Sequence, residues 1–190
     1  MQISDFTFTK LELTPIKSNL WKLAKDVIVK INMPAGKGYR FILKEGFTTN
    51  LRSGSDFLNP FIPRNGDEDM TISYILHDAL YTAQGTNFAS AVHITKKEFA
   101  DDLLKAMLQF CDECTNCIVF GLKERIKMET DKNLKKELKK EMDFHKDRIL
   151  GSIKIWLIHK SVSLFGKSAY NEKAEMPFDQ NYDKLIMEVV

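Results

Sequence analysis

The residues with most chemical potential in this chain are His77-Asp78-Ala79-Leu80-Tyr81. On a helix, His77 and Tyr81 lie one turn apart and share a face, while Asp78 points elsewhere. A histidine so placed can act as a base on one side of the helix while the adjacent carboxylate binds a metal on another, provided a second carboxylate orients the imidazole. Asp101 and Asp102, on the next expected helix, are the candidates for that orienting role. The same residue types on a half-buried helix also serve as hydrogen-bonding groups that pin a loop, and spacing alone favours that plainer role. A nucleotide phosphohydrolase of the His-Asp class would need a metal-binding histidine upstream, and His77 is the first histidine in the chain.

Cys111, Cys114 and Cys117 have metal-like spacing but no fourth cysteine. His93 or His145 would have to complete a tetrahedral site. Cysteines three apart also neighbour one another on a helix, where a buried thiol packs as a small hydrophobe, and this reading is preferred. His93 and His159 show no local partner pattern. Lys135, Lys136, Lys139 and Lys140 could meet phosphate or an anionic membrane, but Glu137 and Glu141 interrupt them, as on a solvated helix face.

The elements that must position these groups change in type along the chain. Phe6–Thr9, Asp26–Ile31 and Tyr39–Leu43 are rich in β-branched and aromatic residues and read as strands. The turn at Pro34–Gly38 is too short for a crossover, so the second and third runs must pair antiparallel. From Phe47 to Asp69 the chain is loop-like. Ile72, Ile75, Leu76, Ala79 and Leu80 then recur at helical spacing, and Thr95 with Glu98 forms a capping box for a helix through Phe110.

Between Lys123 and Arg148, mixed charges surround a narrow stripe of Leu134, Leu138 and Met142, which predicts a solvated helix or helical hairpin. An apolar helix from Ile149 to Phe165 is expected to stop at Gly166, before a polar tail. The expected fold is therefore α+β: an N-terminal antiparallel β-sheet, then a helical bundle with a charged helical insertion. We assign 1–190 to a single domain, with a β-rich part at 1–50, a helical core at 66–110 and 149–170, and the insertion at 111–148.

The chain has 190 residues, 44% of them hydrophobic, which is enough for a core. Its formal net charge of +2 argues against a nucleic-acid binder working by broad phosphate neutralisation. Met1–Asp5 lacks signal-peptide character, no window approaches the roughly 18 apolar residues of a membrane span, and three cysteines is an odd number. Together these predict synthesis and folding in a reducing cytoplasm, compatible with later packaging in a virion.

Four segments in order carry a resemblance: Thr49-Asn50-Leu51-Arg52-Ser53, His77–Tyr81, Ala100-Asp101, and Val162 to Tyr170. From Phe47 to about Tyr170 the chain resembles a family of uncharacterised phage and prophage domains with a His-Asp-x-Leu-Tyr helix, which implies a host-cytoplasmic phage protein. Asn50 stands where that family usually has Asp.

More remotely, the helix pair is similar to phospholipases A2, in which a His-Asp-x-x-Tyr helix precedes a helix carrying Asp. Asp101 with Leu104 fits that pattern. The resemblance implies a calcium-dependent lipid ester hydrolase: His77 activates water, Asp101 and Tyr81 hold the imidazole, and Asp78 binds Ca2+. Phe57-Leu58-Asn59-Pro60 resembles a calcium loop, with Asn59 and Phe61 in place of glycines. Calcium takes roughly six to eight oxygens, so loop carbonyls, water and Asp67, Glu68 or Asp69 would supply what Asp78 does not. A lipid or membrane surface is then the implied partner. The alternative is a non-catalytic virion component or host-interaction protein, whose protein partner would meet the charged insertion.

Overall fold

The computed structural model describes residues 1–17, 20–49, 68–83, 97–175 and 185–190. Its elements in order are β1 (Asp5–Phe8), β2 (Leu13–Lys17), β3 (Leu20–Leu23), β4 (Val27–Met33), a 3-10 turn, β5 (Lys37–Leu43), β6 (Thr48–Thr49), α1 (Glu68–Ala83), α2 (Lys97–Met128), α3 (Lys132–Arg148), α4 (Gly151–Glu175) and β7 (Leu185–Val189). The protein is α+β, with an antiparallel sheet leading into helices.

The main sheet has the order β1-β4-β5-β7, every pairing antiparallel, and a smaller sheet joins β2, β3 and β6. The short link at 34–36 makes β4 and β5 neighbours, with Val27 opposite Leu43 and Ile31 opposite Tyr39. Alternation puts Val27, Val29 and Ile31 of β4, Phe41 and Leu43 of β5, and Leu185 and Met187 of β7 into the core. The C-terminal segment expected as a polar tail thus supplies an edge strand. Its apolar run, Leu185-Ile186-Met187, is only three residues long before Glu188, too brief to identify a strand without its partner β5.

Helix α1 is buried on every side from Ile72 to Tyr81, as its apolar composition requires. Helix α2 packs on it, and Phe6 and Phe110 meet edge-to-face at 6.5 Å, tying β1 to α2. The expected break after Phe110 is absent: α2 runs unbroken to Met128, its buried side narrowing to Cys111, Thr115, Val119 and Leu122. The charged region is therefore half of a long helix plus α3, which folds back along α2 and buries Leu138. Leu134 is exposed, so the expected stripe packs at one of its positions and only partly at Met142.

Asp112, assigned above to the insertion, is a core element. Its buried carboxylate accepts hydrogen bonds from the backbone N–H of Leu150 at 2.7 Å and of Gly151 at 3.2 Å, capping α4 from another helix. Gly151 has φ +76°, a left-handed turn that suits glycine and lets the chain re-enter helix. Helix α4 does not stop at Gly166 but continues to Glu175.

Candidate active site

Helices α1 and α2 meet at Asp101, which is 3% exposed, beside His77 at 2%. The spacing between His77 and Tyr81 puts both on the α1 face toward α2, their rings 4.2 Å apart. His77 Nε2 lies 3.0 Å from Asp101 Oδ1, and the Tyr81 hydroxyl donates to the same oxygen at 2.6 Å. Lys97, one turn before Asp101 on α2, donates to Oδ2 at 2.6 Å. Its ammonium also donates to the carbonyls of Val162 and Ser163 on α4, at 2.9 and 3.0 Å. One buried carboxylate thus binds three helices together.

Such burial is tolerable only because the carboxylate is fully partnered. Burial pushes the Asp101 carboxyl up, but hydrogen bonds from His77, Lys97 and Tyr81, and the charge of His77, outweigh it and hold the group below the ordinary carboxylate value. An ionised Asp101 only accepts hydrogen bonds, so in neutral His77 the proton sits on Nε2 and the lone pair on Nδ1. Nδ1 is buried and has no hydrogen-bond partner among the described residues.

Asp78 turns away from this cluster, as its position on the helix requires. It is 7% exposed, and its Oδ2 accepts the Thr49 hydroxyl at 2.7 Å. Among the described residues no group of three or more His, Cys, Asp or Glu side chains is placed to share a metal. Asp78 by itself falls well short of a calcium shell of roughly six to eight oxygens. Glu68 and Asp69 open α1 and are exposed, whereas Asp67 and the Phe57–Pro60 segment lie outside the described residues, as do Thr95 and His93.

The two orienting candidates separate cleanly. Asp101 serves His77, whereas Asp102 faces out and meets His159 of α4 at 3.1 Å, a partnership with no signal in the sequence. Lys97 was also missed, although its position four residues before Asp101 is the ordinary spacing of a helical ion pair. Gly166 acts here as a contact residue. A methyl group at that position would overlap the Tyr81 hydroxyl and press on Lys97 Cε at 3.3 Å, so the missing side chain is what lets α4 close over the cluster.

The cysteines lie along α2, with Cys111 buried and Cys114 and Cys117 exposed. Partial desolvation, then Cys117 and the acidic Asp69, Glu113 and Asp5, push the Cys114 thiol upward, which disfavours the thiolate that a metal requires. A cavity of about 70 Å³ between the N-terminal residues and α2, lined in part by Ile3, Ala106 and Phe110, is lined by none of the four clustered side chains.

Comparison with known proteins finds no match to a family model, a curated protein or a solved structure.

Proposed function

We propose that this is a phage-encoded hydrolase of lipid esters in which His77 is the general base. The observation that carries the reading is the state of the imidazole: Nε2 is committed to Asp101, while Nδ1 is a lone-pair nitrogen with no partner among the described residues. In this reading Nδ1 takes a proton from water as the water attacks the ester carbonyl. Asp101 then stabilises the imidazolium, and the proton passes to the leaving alkoxide. Tyr81 and Lys97 hold Asp101 in place as positioning residues. Asp78 is the proposed calcium ligand.

The burial of His77, and the Lys97 bonds to α4 carbonyls, favour a second reading, in which the cluster is a structural clasp within a virion component or host-interaction protein. His77→Gln separates the two, because its amide N–H can still reach Asp101. The hydrolase reading expects turnover of a short-chain phospholipid to fall by about a hundredfold or more with the unfolding midpoint preserved. A wild type that turns over no ester, with or without millimolar calcium, sinks it. Calorimetric calcium titration of wild type against Asp78→Asn tests the metal separately: saturable binding lost in the variant supports it, and no binding by wild type removes it.

A further inference from the structure

Helix α4 is apolar on both sides. Its inner side carries Ile155, Ile158 and Val162 in the core, as any surface helix would. Its outer side carries Ile153, Trp156 and Leu164, exposed by 75, 51 and 69%, with Leu157 half-buried between them. At 100° per residue these four fall within one outward arc, and they span roughly 16 Å of helix. Solvent normally faces the polar side of an amphipathic helix, so an outer face that carries three exposed large apolar side chains is one that something covers.

The charges around the stripe say what fits. Exposed Lys160 lies within the arc and exposed Lys154 flanks it, and from Gly151 to Asn171 the helix has no acidic residue. Among the described residues, the acids placed against it include Asp102 of α2, paired with His159, and Asp112 of α2, committed to the backbone N–H groups that open the helix. A second copy of the chain docking through the same face would set these lysines against their own counterparts, since a two-fold interface is self-matching. An anionic surface with an apolar interior satisfies both features at once. Tryptophan settles at the boundary between headgroups and acyl chains, aliphatic side chains enter below it, and lysine ammonium groups reach up to phosphates.

We propose that the outer face of α4 docks on an anionic lipid surface. Docking uses none of the clustered residues around Asp101, so it stands or falls independently of the hydrolase reading. Trp21 and Trp156 are the chain's two tryptophans, so a Trp21→Phe background makes Trp156 the sole fluorophore. Vesicles of phosphatidylcholine with one third phosphatidylglycerol are then the probe, with pure phosphatidylcholine as control.

The expected result is co-flotation with the anionic vesicles, a blue shift of Trp156 emission, and weakening by salt. Ile153→Asp with Leu164→Asp abolishes flotation, and Lys154→Gln with Lys160→Gln lowers it roughly tenfold or more. These positions face outward, so circular dichroism and the melting temperature stay at wild-type values. Hydrolysis of a monomeric short-chain ester, if wild type has it, persists in the face variants, which separates docking from chemistry. Folded protein that ignores anionic vesicles, or binds both vesicle types equally, overturns the proposal. So does a self-associating wild type that Ile153→Asp makes monomeric, since a second copy then covers the face.

Discussion

Asp101 is a buried carboxylate around which polar groups of three helices gather. It accepts from His77, Tyr81 and Lys97, and removing its charge leaves the Lys97 ammonium largely buried against two carbonyls. Asp101→Asn is expected to lower unfolding free energy by about 3 kcal/mol or more, measured by urea denaturation. A loss below about 1 kcal/mol would show that the cluster contributes little. The pH dependence has a definite sign. Asp101 is held below its ordinary 3.8, so its stabilisation is fully present above that value and is lost as pH falls through the lowered folded-state value. Acid unfolding of the wild type should therefore be steeper below about pH 4 than that of Asp101→Asn, the two curves converging at the acid end.

At the scale of elements, the fold depends on contacts between helices that are far apart in sequence. Asp112 on α2 caps α4, and Gly166 on α4 makes room for Tyr81 on α1. Replacing a helical glycine with alanine ordinarily stabilises by about 1 kcal/mol. Gly166→Ala is expected to do the reverse, costing about 1–3 kcal/mol because the added methyl meets the Tyr81 hydroxyl. Thermal unfolding gives the sign directly, and a stabilised variant would mean that α4 does not press on Tyr81. The sequence carried the helical periodicity of α1 and the start of the charged region, but not the continuity of α2. A helix that leaves a core and projects shows no break in its backbone, only a narrowing of its apolar stripe from Leu108 to Leu122.

For the whole molecule, the core joins the sheet to α1, α2 and α4, and the last strand completes it. Leu185 and Met187 are buried, and Arg40 pairs with Glu188 at 2.7 Å across β5 and β7. Ending the chain after Lys184 should strip a core edge and leave β5 unpaired on that side, lowering stability by about 3 kcal/mol or more and promoting association through the bare strand. Melting temperature and size-exclusion profile check this. An unchanged melt would show that β7 is dispensable. Among the described residues no helix is long and apolar enough to cross a membrane.

The sequence by itself determined the β4–β5 hairpin, because a short turn permits only antiparallel pairing, and the shared face of His77 and Tyr81, because helical geometry places residues four apart together. It also narrowed the histidine's partner to two neighbouring aspartates. Tertiary structure alone chose Asp101 over Asp102: adjacent helical positions differ by about 100° in direction, and only the packing angle of α1 on α2 decides which of them faces the imidazole. The same is true of Lys97, Asp112, Gly166 and β7, whose roles arise from partners 38 to 148 residues away in the chain or, for Lys97 and Asp101, from three helices meeting at one point. Local propensity encodes direction along an element, whereas contact across elements depends on how the whole core closes.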